Sequence, residues 1–171
     1  MVPPDVATRA TGPNMFQVMF QGDLFADYFQ VYLHDADHPE LPDDYTAESI
    51  ARRLMAGPFG LILHTARNMT VPVCVEWHAE RPEPELEAFQ HVAEAGVACP
   101  TGRLVLAGLT DDVATAPRLA VRPGPIAVRA SFAGLDTLDD SGLEGDDRYL
   151  VQLWPAQMPE GVAVLKLWPG A

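Results

Sequence analysis

The 171 residues are enough for one domain with a sizeable core, and a 48% hydrophobic content with mean hydropathy near zero marks a soluble globular chain. Twenty-four acidic residues oppose 11 basic ones, a net charge of −13, and Lys166 is the one lysine among those basic residues. Charge of that sign repels phosphate backbones and argues against nucleic-acid binding, and no run of about 18 apolar residues is present to cross a membrane as a helix.

Residues 1–13 hold three prolines and Gly12 among polar residues, which reads as a flexible N-terminal tail ahead of a domain over 14–171. The segment has neither a basic region nor an apolar stretch of the secretory type, so a cytoplasmic location is expected. From Met15, MFQVMFQG alternates as a strand with Phe16, Val18 and Phe20 on one face, and YFQVYLHD at 28–35 is a second strand. An acidic, proline-containing loop follows. The segment around 46–56 then gives the one good helix signal: Asp44 or Thr46 caps it, Glu48 and Arg52 suit its dipole, Ile50 and Leu54 share a side, and Gly57-Pro58 stops it.

The remainder reads as strands. FGLILHTA leads to VPVCVEWHAE, which sets Val71, Val73, Val75 and Trp77 on one face, with Pro72 calling for an edge or a strand start and Cys74 for a buried reduced thiol. FQHVAEAGVACP fits an irregular strand better than a helix, and TGRLVLAGL is another strand. After the Pro-Gly-Pro turn at 123–125, Ile126, Val128, Ala130 and Phe132 alternate with Ala127, Arg129 and Ser131, as a strand with an apolar inner and polar outer face requires. RYLVQLWPA and GVAVLKLWP close the chain, with Trp154 and Trp168 as core anchors. About eight strands with one short helix and no alternation of strand and helix imply an all-β, two-sheet antiparallel sandwich, since each sheet must bury one apolar face.

The acidic stretch GLDTLDDSGLEGDD places Asp136, Asp139, Asp140, Glu144, Asp146 and Asp147 within twelve positions. An EF-hand frame fails there, because Leu138 or Leu143 falls on a ligand position; a looser calcium site between sandwich loops is the alternative, and a solvated inter-strand loop is the plain reading. Carboxylates side by side on one loop do not flank a scissile bond, so they make a poor acid–base pair. The cluster His34-Asp35-Ala36-Asp37-His38 has four-residue histidine spacing, which suits a metal only on a helix, whereas this segment is a strand end. No serine sits in a nucleophile elbow, no phosphate-binding glycine motif occurs, and the two cysteines, Cys74 and Cys99, have no zinc spacing. Neither enzyme activity nor a cofactor nor a metal is therefore expected, with a cryptic hydrolase built on His64 or His78, near the ends of neighbouring strands, as the remaining alternative.

The order YFQVYLHD, acidic loop, YTAESIARRL, GLILHTARNMTVPVCVEW, CPTGRLVLAG and RYLVQLWP, over residues 23–155, resembles the competence protein J family of DNA-entry nuclease inhibitors and related bacterial proteins. The stretches 79–90 and 110–147 make this chain longer than short members of that family. The resemblance implies a non-enzymatic inhibitor or immunity-type partner of a basic nuclease or toxin and carries no functional residue over by motif. It agrees with the charge: carboxylates complement a basic protein partner and speed its association. The expected contact surface is the six-carboxylate loop together with Asp35, Asp37, Asp43 and Asp44.

Overall fold

The computed structural model describes residues 8–11 and 14–170; the rest of the expected tail, residues 1–7, 12 and 13, lies outside them. Twelve strands among the described residues form two sheets. The larger has the order β1 (Thr8–Thr11), β2 (Asn14–Phe25), β6 (Thr70–His78), β11 (Arg148–Pro155), β10 (Gly124–Ala133), β7 (His91–Cys99) and β12 (Ala163–Lys166). The smaller has the order β4 (Leu54–Ala56), β5 (Gly60–His64), β3 (Gln30–Asp35), β8 (Arg103–Gly108) and β9 (Arg118–Ala120). Every pairing is antiparallel except β6 with β11, which run parallel. The sheets share one apolar core, in which Leu33, Leu61, Leu63 and Leu104 of the smaller sheet join Val75, Val128, Phe132, Tyr149 and Leu153 of the larger. Among the described residues, no helix is long and apolar enough to cross a membrane.

Several local expectations change. The helix α1 spans only Ala47–Ala51. Thr46 accepts from the Ser49 N–H, and the Ser49 hydroxyl accepts from the Thr46 N–H, a reciprocal cap. Arg53 then turns to φ +58, and residues 54–56 leave as β4, because Leu54 and Met55 bury themselves by pairing with Leu63 and Ile62. Ile50 consequently faces solvent instead of sharing a buried side with Leu54. In β2 a bulge at Met19 breaks the alternation: Val18 pairs with Glu76 but Phe20 pairs with Val75. Phe20 therefore packs on the core, while Phe16 stacks on His78, their ring centroids 5.0 Å apart. Pro72 lies in an internal strand. It is tolerated there because the β11 pairing starts one residue later, at Val73.

A further change concerns the polar face of β10. Arg129 and Ser131 are buried like their apolar neighbours. Glu94, Arg129, Gln152 and Glu76 are successive cross-strand neighbours on β7, β10, β11 and β6. Arg129 donates to Glu94 at 3.2 Å and to Gln152 at 3.3 Å, Gln152 donates to Glu76 at 3.2 Å, and the guanidinium lies 5.3 Å from the Trp154 ring centroid. The segments around 79–90 and beyond β11 cover this row: Arg81 bonds Glu94 at 2.8 Å, Lys166 donates to the Leu86 carbonyl, and Met158 lies where a side chain at Gly96 would be. Cys74, on the same outer face, is half-buried rather than buried; Trp154 is buried, and Trp77 and Trp168 pack on the core from its margin. Removing one member of a buried ion pair strands the other charge. Glu94→Ala should lower the unfolding free energy by about 3–5 kcal/mol, read from urea denaturation; a change within error would mean that Arg129 is solvated in place.

Candidate functional site

The ends of β3 and β5, the start of α1 and the acidic loop enclose a cleft of about 480 Å³. Its walls include Tyr28, Phe29, Tyr45, Ile50, Arg53, His64, Leu135, Asp136 and Leu138. Tyr28 is 67% exposed, and Phe29, Tyr45 and Ile50 are each close to half exposed. Three non-glycine residues have positive φ among the described residues: Tyr28 at +54°, Phe29 at +63° and Arg53 at +58°. All three line this cleft. Left-handed backbone costs such residues roughly 1–2 kcal/mol each. The surrounding bonds hold them there. The Tyr28 N–H donates to the Asn68 side chain at 2.8 Å, the Phe29 N–H to the Ala26 carbonyl at 3.0 Å, and the Thr65 N–H to the Phe29 carbonyl at 2.9 Å. Strain and apolar exposure thus coincide at one concave place.

The acidic loop forms one wall and is internally ordered. The Asp139 carboxylate accepts from the Ser141 hydroxyl at 2.6 Å, the Thr137 hydroxyl accepts from the Asp146 N–H at 2.8 Å, and the Asp139 N–H donates to the Glu144 carbonyl at 2.9 Å. The Ser141 hydroxyl, before the backbone amides, holds the Asp139 carboxyl below its ordinary range. Gly134 starts the loop at φ +69°, where a Cβ would meet the Asp146 carbonyl at 2.3 Å, so only glycine allows this closure.

The structure divides the sequence-predicted contact residues. Asp136, Asp139, Asp140, Glu144 and Asp146 are exposed on the loop, and Asp43 and Asp44 are exposed beside Tyr45. Asp147 is turned inward. It accepts from Arg67 Nε at 2.6 Å and from the Tyr149 hydroxyl, which itself accepts from the Ala66 N–H at 2.8 Å. Arg67 also donates to the Leu143 carbonyl at 3.1 Å, so the pair fastens the loop. Asp35 is buried too, at the far end of β3, roughly 15 Å along the strand from the cleft. Burial alone would raise its carboxyl, but hydrogen bonds from His38, Thr101 and the Asp37 N–H prevail and hold it well below the usual carboxylate range. Asp37 is exposed at that same distant end, facing Arg103 at 3.8 Å.

The histidine alternatives have separate surroundings. His64 belongs to the smaller sheet, with Nε2 3.0 Å from Met55 Sδ and its ring edge-on to Tyr45. His78 belongs to the larger sheet, stacked on Phe16 and bonded to Glu76 at 2.8 Å. Burial, then the Arg53 charge, lowers the His64 pKa to about 4, so it is a poor general base near neutrality. The neighbouring Thr65 hydroxyl donates to the Arg67 carbonyl, and burial followed by the Asp35 carboxylate pushes the Cys99 thiol up to about 11. Among the described residues, no three His, Cys, Asp or Glu side chains converge to hold a metal. The cleft offers apolar and aromatic contact, one guanidinium and a carboxylate on its wall.

His64 gives this surroundings a pH signature. Its folded pKa lies below the ordinary 6.5, so the unfolded chain takes up a proton that the folded one refuses between pH 6.5 and about 4. Its stabilisation is full above that window and is lost as pH falls through it. Burial acts in the same direction on His91, and Asp35 adds a further loss below its ordinary 3.8. Urea denaturation against pH should show stability declining from about pH 6.5 downward, with a shallower slope in His64→Gln; a flat profile down to pH 4 would show His64 to be hydrated.

No family model and no curated protein sequence matches the chain. Among solved structures, it is similar to ComJ from Bacillus subtilis, an inhibitor of the DNA-degrading activity of NucA. The TM-score is 0.62 at 12% identity over 83% of this chain and 99% of that one. It is also similar to the protein described as crocagin biosynthetic gene J, with TM-score 0.55 at 17% identity and the same coverage. Almost the whole of each neighbour is matched while the side chains differ, so what is shared is the backbone arrangement, and this chain has a ComJ-like fold.

Proposed function

We propose that this is a non-enzymatic protein-binding domain, an inhibitor- or immunity-type partner that docks on a basic nuclease or toxin. The observation that carries this reading is the cleft, where three exposed aromatic residues, two of them on left-handed backbone, stand beside a loop of exposed carboxylates. Strained residues persist where the surroundings over-determine them, and such places cluster at sites that bind. Exposed aromatics serve as anchors at protein interfaces. The exposed carboxylates Asp136, Asp139, Asp140, Glu144 and Asp146, with Asp43 and Asp44 just before Tyr45, supply long-range attraction for a cationic surface. The inhibitor role of ComJ supports the same direction through the shared fold. A groove that holds nucleic-acid phosphate must be basic, and a carboxylate surface can occupy it in place of the substrate.

The test is DNA cleavage by a cationic nuclease from the same cell with this protein titrated in. Inhibition that weakens as salt is raised supports the reading. Asp136→Arg with Asp139→Arg and Asp140→Arg should then slow association by tenfold or more at low salt while leaving the thermal midpoint nearly unchanged, since all three side chains are exposed. Equal association rates for the wild-type and reversed proteins would contradict the electrostatic part. Tyr28→Gly separates anchor from scaffold. Glycine adopts the left-handed conformation at no steric cost, so stability should hold or rise by up to about 1 kcal/mol while binding is lost. Binding retained in that variant would remove Tyr28 from the contact.

A further inference from the structure

Arg53 is the anomaly of the acidic cleft. It occupies the residue after the α1 C-cap, where the chain turns left-handed and where glycine is the usual choice. Its backbone is well used, since the N–H donates to the Ile50 carbonyl and the carbonyl accepts from the His64 N–H, both at 3.0 Å. Its guanidinium is not: among the described residues it makes no hydrogen bond or ion pair, although it is half-buried. Arg52, next in sequence, pairs with Glu48, and Arg67 pairs with Asp147. The Arg53 charge is felt by His64, His91 and Tyr149, which places it toward the floor of the cleft between the two sheets. A chain of net charge −13 thus leaves one cation unmatched inside a cavity walled by Tyr28, Phe29, Tyr45 and Ile50. Both backbone strain and partial desolvation are spent on a side chain that the fold itself does not use.

We propose that the cleft is a carboxylate-accepting subsite, in which one carboxylate of the bound partner pairs with Arg53 while Tyr28, Phe29 and Tyr45 pack on the apolar stem that carries it. The fork of donors on a guanidinium matches the two oxygens of a carboxylate. A monoanion fits better than a phosphate dianion, because Asp136 on the wall and Asp27 beside Tyr28 repel the second charge. In the docking proposed above, on which this subsite rests for its partner, the carboxylate rim attracts and this inverted charge fixes the register. A partner with a cation at that point meets Arg53 as a like charge.

The subsite can be tested without the partner. The ¹⁵N-labelled full chain is titrated at constant ionic strength with N-acetylphenylalanine, with N-acetylglutamate α-amide, with uncharged N-acetylphenylalanine amide and with inorganic phosphate. Saturable shifts of the Tyr28, Phe29 and Ala66 amides and of the Arg53 Nε–H resonance are expected with one or both organic acids and not with the amide. The acid that binds tighter tells whether a chain terminus or an acidic side chain is the source. Arg53→Gln should weaken binding about tenfold or more, and Arg53→Gly, whose backbone suits the turn, should do the same in a chain at least as stable. Arg122→Gln, at an exposed site outside the cleft, should not alter it. Equal binding of acid and amide, undiminished binding in Arg53→Gly, tighter binding of phosphate, or no saturable shift would each overturn the proposal. Failure of nuclease docking alone would leave these titrations unchanged, so the two readings fail separately.

Discussion

The inward turn of Asp147 organises the cleft end of the molecule. Its carboxylate is held by Arg67, which links β5 to β6, and by Tyr149, which stands in β11 among the core residues. Tyr149 in turn accepts the Ala66 N–H, so one buried cluster joins both sheets to the end of the acidic loop. A buried ion pair contributes little net stability after desolvation; its effect is positional, since an alternative loop path strands a buried charge. With Asp147 and the Gly134 closure fixed, the intervening residues project their carboxylates outward and place Leu135, Asp136 and Leu138 against the cleft.

Negative charge is therefore not spread evenly over function. Asp35 and Asp147 are structural, each surrounded by donors, and Asp37 sits at the remote end of β3. What remains exposed is the outward part of the loop that supplies Asp136 to the cleft, and Asp43 with Asp44, which precede the cleft residue Tyr45 in sequence. In the proposed docking, attraction of this kind sets how fast a cationic partner arrives, whereas the aromatic residues set how long it stays. In the proposed subsite, the reversed sign of Arg53 adds selectivity to both.

Burial of the outer face of the larger sheet has a different meaning. An exposed row of Glu94, Arg129, Gln152 and Glu76 would be an ordinary solvated surface, but Arg81, Leu86, Met158 and their neighbours close over it. That cover uses the 79–90 stretch and the segment beyond β11, whereas the 110–147 stretch supplies a wall of the cleft with its exposed aromatics.

The alternation of apolar residues in 71–77 and 126–132 determined the two-sheet fold, because a period of two leaves one apolar face per sheet that must be covered. Thr46 and Ser49 set where the helix starts, and the excess of carboxylates set the net charge of −13. Local pattern had no purchase on the β2 bulge, which exchanges the faces of Phe16 and Phe20 through pairing with β6, nor on the brevity of α1, which ends because Leu54 and Met55 are drawn into β4. The cleft was illegible for a similar reason. Its walls come from residues 28–30, 45–53, 64–66 and 135–138, and Tyr, Phe and Arg are not residue types that signal left-handed backbone. Which carboxylates point outward, and the isolation of Arg53, were decided only when distant segments packed, since a side chain's role depends on the partner that folding sets beside it.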